Sequence, residues 1–250
     1  LVESGYKEIT LLGQNVNSYG KYPDCGCNFA QLLQQLNDIE GDFIIRFMTS
    51  HPKDCTHELL DTMARCDKVA KHLHLPFQSG SNRVLAEMNR RYTREKYLSL
   101  LEYAYSVMPE LSVTSDVIVG FPGETYEEFR ETVSLVQQAN FTSMYTFIFS
   151  PREGTKAASM PDPVSREEKG RWFKELLDAQ EVIAAKRTAS AVGKVYRVLC
   201  ESVSKGGLIE GRTEGNVIVE FPADSSVIGT FRNVKVTESL TWILRGELAD

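Results

Sequence analysis

Residues 111–119 are mostly apolar and rich in Val and Ile, and the run stops abruptly at Gly120, Pro122 and Gly123. Such a run suits a strand covered on both faces. The next residues, Thr125-Tyr-Glu-Glu128, form a capping-box pattern, in which a hydroxyl and a carboxylate satisfy the free amides at the start of a helix. Strand, tight turn and helix make one βα unit, and a Gly-rich turn at a strand's C-terminal end lets a ligand approach the backbone. Asp116 stands inside the apolar run. An unpaired buried carboxylate is costly, so Asp116 is expected to meet a donor, either from a ligand or from a protein group that holds the next loop.

The same unit repeats along the chain. Strands are expected at 8–12, 43–48, 72–77, 111–119 and 144–149, with helices at 29–39, 57–66, 83–88, 94–107 and 126–139 between them. Thr56 and Thr93 are placed to cap two of these helices. Strands alternating with helices imply a parallel sheet with right-handed crossovers. Each strand ends in polar, small or charged residues, which gather on one edge of a parallel sheet. The fold class is therefore α/β, a partial parallel (β/α) barrel. A doubly wound open sheet is the competing architecture, but no G-x-G-x-x-G follows a strand.

Ser165 starts another capping box and a long helix reaching about Thr188. Beyond Gly193 the helical period ends, and short strands are expected at 195–200, 208–212, 216–221, 231–237 and 240–244. Five short strands in some sixty residues suggest a small all-β barrel of the oligonucleotide-binding kind. The boundary falls near Ala191, giving domains 1–190 and 191–250. The formal charge of −6 gives no global nucleic-acid signal. Lys194, Arg197, Arg212, Arg232 and Lys235 on one face, with Tyr196 or Phe231 for stacking, would make an RNA platform. A solvated surface over core aromatics is the alternative.

No apolar run is long enough for a membrane span, and no signal peptide is visible. Five scattered cysteines suit a reducing cytosol. Cys25 and Cys27 lack the further ligands that zinc or an iron–sulfur cluster needs, so no metal site is expected in this chain. Cys55, Cys66 and Cys200 read as small core or helix residues. His72 and His74 share one strand face and so either meet a common ligand or sit satisfied in the core. The first residues, Leu1-Val-Glu-Ser-Gly5, read as a helix's last turn ending at glycine, from which missing upstream sequence is expected.

Six segments together, starting at Leu12-Gly-Gln14-Asn-Val-Asn-Ser-Tyr19-Gly20, Thr49-Ser-His-Pro52, His74-Leu-Pro-Phe-Gln78-Ser-Gly80-Ser, Met88-Asn-Arg-Arg-Tyr-Thr93, Asp116-Val-Ile118-Val-Gly120-Phe-Pro-Gly-Glu-Thr125 and Ser150-Pro-Arg152-Glu-Gly-Thr155, resemble the methylthiotransferases of the radical S-adenosylmethionine (radical SAM) superfamily. The first looks most like the branch that methylthiolates C2 of N6-isopentenyladenosine at position 37 of tRNA. The tail, with Gly211-Arg-Thr213, looks like the family's TRAM domain. The resemblance implies S-adenosylmethionine (SAM) and two [4Fe-4S] clusters. One of these, on a C-x3-C-x2-C motif, cleaves SAM to a 5′-deoxyadenosyl radical. That motif is absent here, so this chain alone is expected to bind neither cluster and to be inactive.

The resemblance also implies site residues. Gln14, Ser50, Gln78 and Asp116 are expected to contact the polar groups of SAM, with Ile118, Gly120 and Phe149 near its adenine. Tyr19 and His74 are expected to border the substrate base, and Arg152 to neutralise a carboxylate or phosphate. The implied partner is the tRNA anticodon stem-loop, met by a cytoplasmic monomer without a membrane. A sibling branch acting on threonylcarbamoyl-adenosine tRNA or a ribosomal protein, or a non-catalytic RNA-binding module, would use the same body.

Overall fold

A computed structural model describes residues 1–21 and 26–249; Cys25 lies outside them. Strands β1 (Glu8–Leu11) and β2 (Ile44–Phe47) pair in parallel, as do β3 (His72–His74), β4 (Ser112–Val119) and β5 (Ser143–Ile148). A parallel bridge between Ile45 and Val69 joins the two sheets. All five strands therefore run the same way, and their C-terminal ends form one rim. The crossovers are α1 (Phe29–Asn37), α2 (His57–Arg65), α3 (Asn82–Glu87) with α4 (Arg94–Val107), and α5 (Tyr126–Ala139). The partial parallel barrel is as the alternation of motifs implied.

Local chemistry sets the helix starts. Thr56, Thr93 and Thr125 accept from the third backbone amide beyond each, and Thr125 and Glu128 form the full reciprocal box. Ser165 caps the long α6 (Arg166–Ala189) through its hydroxyl alone, without the reciprocal bond expected of a box. Val113, Val117 and Val119 of β4 point under the helices, where Phe77, Tyr97, Phe129 and Phe141 are all fully buried. Gly5 closes the opening 3₁₀ turn in the left-handed region at φ 87°.

Beyond α6, strands β6 (Val195–Val203), β7 (Ile209–Thr213), β8 (Ile218–Phe221), β9 (Phe231–Ser239) and β10 (Ile243–Leu248) close into a barrel with its own core of Val198, Val219, Phe221, Val234 and Leu244. The last strand begins three residues later than the sequence suggested. The Leu240 amide and the Ile243 carbonyl close a turn, so Leu-Thr-Trp242 forms a hairpin tip. The third strand is also shorter than expected. Pro76 interrupts it, and the chain rejoins β4 at a bridge between Gln78 and Val117.

Candidate functional site

Alternation along β4 puts Thr114, Asp116 and Ile118 on the face away from the helices. Register places His72 and His74 of β3, and Tyr145 and Phe147 of β5, on that same inner face. The Thr114 hydroxyl lies 3.0 Å from both His72 Nε2 and His74 Nδ1. It has one proton, so it donates to one ring and accepts from the other, and the two tautomers depend on each other. His74 Nε2 lies 3.6 Å from Asp116 Oδ1, and its ring meets Tyr145 edge-on at 6.0 Å between centroids. The two histidines are buried and share Thr114. Asp116 is about a third exposed rather than enclosed.

The rim holds two strained residues. Thr49 and Gln78 have φ of 62° and 65°, outside the usual range for side-chain-bearing residues, and for β-branched Thr49 this is an outlier. They sit at the ends of β2 and β3. Such strain persists only where surroundings enforce it, and it clusters at functional sites. Here the enforcement is visible. Asp116 O accepts from the Gln78 amide and Gln78 O from the Ile118 amide, each at 2.9 Å, while Thr49 Oγ1 donates to Gly13 O. Tyr97 OH and Ser115 Oγ both donate to Leu75 O, at 2.7 and 2.8 Å.

Ser50, 4% exposed, has a hydroxyl with no hydrogen-bond partner, and the neighbouring Asn15 Oδ1 is likewise buried and unpartnered. Buried polar atoms are rarely left so, and a ligand with donors would complete both. Gly120 turns the chain at φ 74° against the Lys169 stem, with Phe149 under the Lys169 ammonium and edge-on to Phe121. Ser50 lies beyond β2, Gln78 beyond β3, Asp116 and Ile118 on β4, Gly120 at its end and Phe149 just past β5. Gln14 and Tyr19 lie exposed on the loop after β1, and Arg152 lies exposed beyond β5. A cleft of about 220 Å³ on the same rim is lined by Asn15, His51, Lys53, Asp54, Asn89 and Arg91.

Glu124 was not singled out in the sequence. Its buried carboxylate accepts from the Gly120 and Phe121 amides at 2.6 and 3.2 Å and so shapes the turn. A Glu four residues beyond the turn glycine, in a loop too short to leave the protein surface, was the available signal. Burial pushes its pKa up to about 7. Burial, with Arg46 nearby, pushes His72 down to about 3. Their pH effects on stability oppose each other. A raised carboxyl favours the fold below pH 4.5 and loses that contribution as pH rises to about 7. A depressed imidazole favours the fold above pH 6.5 and loses that contribution as pH falls towards 3. Each limb has a slope of about 1.4 kcal/mol per pH unit. In urea melts, Glu124→Gln is expected to remove the decline above pH 6.5, and His72→Gln the decline below pH 4.5.

The small barrel's cations are largely engaged. Lys194 Nζ bonds Glu110 at 3.0 Å, Arg197 pairs with Asp42 and stacks on Phe231, and Arg212 binds Glu8 and Glu201. Arg232 is exposed, and its Nη1 donates to the neighbouring Phe231 carbonyl. Cys55, Cys66 and Cys200 are buried and separate, and burial lifts the Cys55 thiol to about 12. Among the described residues no cluster of three or more His, Cys, Asp or Glu is arranged to hold a metal, so an iron–sulfur cluster does not fit them.

The profile of the radical SAM superfamily matches residues 1–136, and that of the TRAM domain residues 189–249. The tRNA-2-methylthio-N(6)-dimethylallyladenosine synthase of Thermoanaerobacter sp. (strain X514) is 50% identical over 100% of this chain and 54% of its own length. The synthase of the same name from Alkaliphilus oremlandii (strain OhILAs) is 49% identical over 99% of this chain and 53% of its own. The chain spans about half the length of the curated relatives it matches. Among solved structures, coproporphyrinogen III oxidase from Escherichia coli, described as a radical SAM enzyme, aligns with a TM-score of 0.51 over 84% of this chain and 50% of that one at 16% identity, a likeness of fold alone.

Proposed function

The chain belongs to the radical SAM superfamily and ends in a TRAM domain, and from that premise we propose that it is the barrel-and-TRAM part of a tRNA methylthiotransferase acting on N6-dimethylallyladenosine. The observation that carries this reading is the rim, where Ser50 Oγ is buried without a partner beside two strained strand ends and an open carboxylate. When bound, SAM supplies the 5′-deoxyadenosyl group that a radical SAM enzyme uses. This chain's residues would hold and orient it. Ser50, Gln78 and Asp116 would take the amine and hydroxyl groups, with Gln14 closing from the loop. Ile118, Gly120 and Phe149 would flank the adenine. A nucleoside held in one pose, away from water, is what a primary carbon radical requires. The two [4Fe-4S] clusters belong, on this reading, to the complete protein and not to the residues here.

The substrate base would enter between Tyr19 and His74. Tyr145 and Phe147, more than half exposed on the inner face, support stacking of an unpaired anticodon-loop base. Arg152 and the cleft holding Lys53 and Arg91 would receive RNA phosphates. We place the division near Ala191, with an RNA-binding domain at 191–250, and the molecule as a cytoplasmic monomer; no helix among the described residues is long and apolar enough to cross a membrane. The strained, ligand-hungry rim weighs against a purely RNA-binding module, and the relatives' substrate against the sibling branches.

The test joins this chain to the upstream half of the Thermoanaerobacter relative and reconstitutes the clusters anaerobically. Nucleoside mass spectrometry is expected to show methylthiolation of dimethylallyladenosine tRNA. Product on threonylcarbamoyl-adenosine instead, or none from a folded, cluster-loaded chimera, would overturn the reading. In the same chimera Arg91→Gln is expected to lower the slope of log K against log salt for tRNA by about 0.7–0.9, one phosphate contact.

A further inference from the structure

The opposite end of the parallel sheet, where strands begin, is covered by the small barrel. Arg46, the third residue of β2, is 4% exposed and uses its whole guanidinium fork. Nε bonds Glu8 Oε2 at 2.7 Å, while Nη1 and Nη2 donate to the Glu214 and Thr213 carbonyls at 2.8 Å. Glu8 also accepts from Arg212 Nη2 at 2.9 Å. Burial alone would raise the Glu8 carboxyl, yet its bonds to Arg46 and Arg212 outweigh this and hold it below the usual carboxylate range.

The turn between β7 and β8 is therefore fixed by backbone carbonyls, not by loose side-chain contact. Gly215 in that turn lies so close to the first residue of β4 that an added Cβ would come within 3.1 Å of Ser112 Cβ. His72, at the start of β3, is 3% exposed immediately above, and Arg46 and Arg212 both act on its charge. Lys194 and Arg197 continue the attachment outside, on Glu110 and Asp42.

We propose that the TRAM domain has a second task besides RNA: it is the floor of the α/β chamber. Its Thr213–Val217 turn covers the start of β4 beside a cavity of about 490 Å³ that Ser112, Lys194 and Arg197 also line, Arg46 and Arg212 latch it, and Arg212, Arg197 and Lys194 serve this closure rather than RNA. The floor keeps bulk water from the lower end of the His72–Thr114–His74 chain, whose upper end faces Asp116. This inference rests on the domain contacts and stands apart from the tRNA reading.

The test is hydrogen–deuterium exchange at the imidazole Cε1 of His72 in this chain, read by mass spectrometry, with exposed His57 as internal reference. Gly215→Leu wedges the floor, and Arg46→Gln removes the latch. Both are expected to speed His72 exchange at least tenfold, the equivalent of about 1.4 kcal/mol, with His57 unchanged. Arg212→Gln, at a partly exposed side chain, keeps the test decisive where a core-facing variant does not fold, and a smaller rise in the same direction is expected. His72 protection unchanged in any folded variant, or a drop of about 0.7–0.9 in the tRNA salt slope for Arg212→Gln, would overturn the proposal. A chain that binds no tRNA yet shows the His72 response would sink the tRNA reading alone.

Discussion

Asp116→Asn is expected to abolish methylthiolation in the cluster-loaded chimera and to weaken SAM binding by tenfold to a hundredfold. The side chain is about a third exposed, and among the described residues its close partner is His74 at 3.6 Å, longer than a hydrogen bond. The carboxylate therefore has acceptor capacity to give a ligand. A hydrogen bond to a charged group contributes about 1.5–3 kcal/mol, and the amide retains a neutral acceptor but loses the charge. Because β4 keeps its backbone pairing with β3 and β5, the melting temperature of the variant is expected to stay within a few degrees of the parent. Unchanged SAM affinity and activity would reduce Asp116 to a structural role.

Gly80→Ala is expected to give a large loss of stability at the rim. A Cβ there would lie 2.5 Å from Glu131 O and from Thr132 Cα, both backbone atoms of α5. Backbone cannot swing aside as a side chain can. The Gly80 amide also donates to Thr132 Oγ1 at 2.8 Å, a buried bond that any shift would stretch. Overpacking of this kind costs about 1–3 kcal/mol, and the lost bond adds roughly 1 kcal/mol. For a chain of this size, about 3 kcal/mol corresponds to a fall of roughly 6–12 °C in Tm. Gln78 stands two residues away, so SAM affinity is expected to fall too. A melting curve that overlays the parent would show that α5 is free to move here.

The α/β order was legible because each element announced itself locally. Apolar runs stopped at Gly, Pro or polar residues, and Thr56, Thr93, Thr125 and Ser165 stood where helices begin. Asp116 was legible as an anomaly in its own strand. The strain at Thr49 and Gln78 was not, since neither residue type signals a left-handed backbone, and both are held there by loops distant in sequence. The floor was equally hidden. Arg46 reaches Thr213 across 167 positions, and no local pattern marks such a pair. Composition records charge without its partner, so the pairing of Lys194 with Glu110, Arg197 with Asp42 and Arg212 with Glu8 was not legible. The last strand was misplaced because Leu240 and Trp242 look strand-like, whereas Gly246, which sits against the Lys235 carbonyl at a register shift, looks like an ending.

The central claim is that the strand ends form one cup for SAM. Equilibrium dialysis of SAM against the chimera, comparing the parent with Ser50→Ala, Gln78→Ala and Asp116→Asn and using tRNA affinity as reference, tests it most directly. The account predicts weaker SAM binding in all three, with tRNA affinity unchanged. Parental SAM affinity in all three folded variants would contradict it.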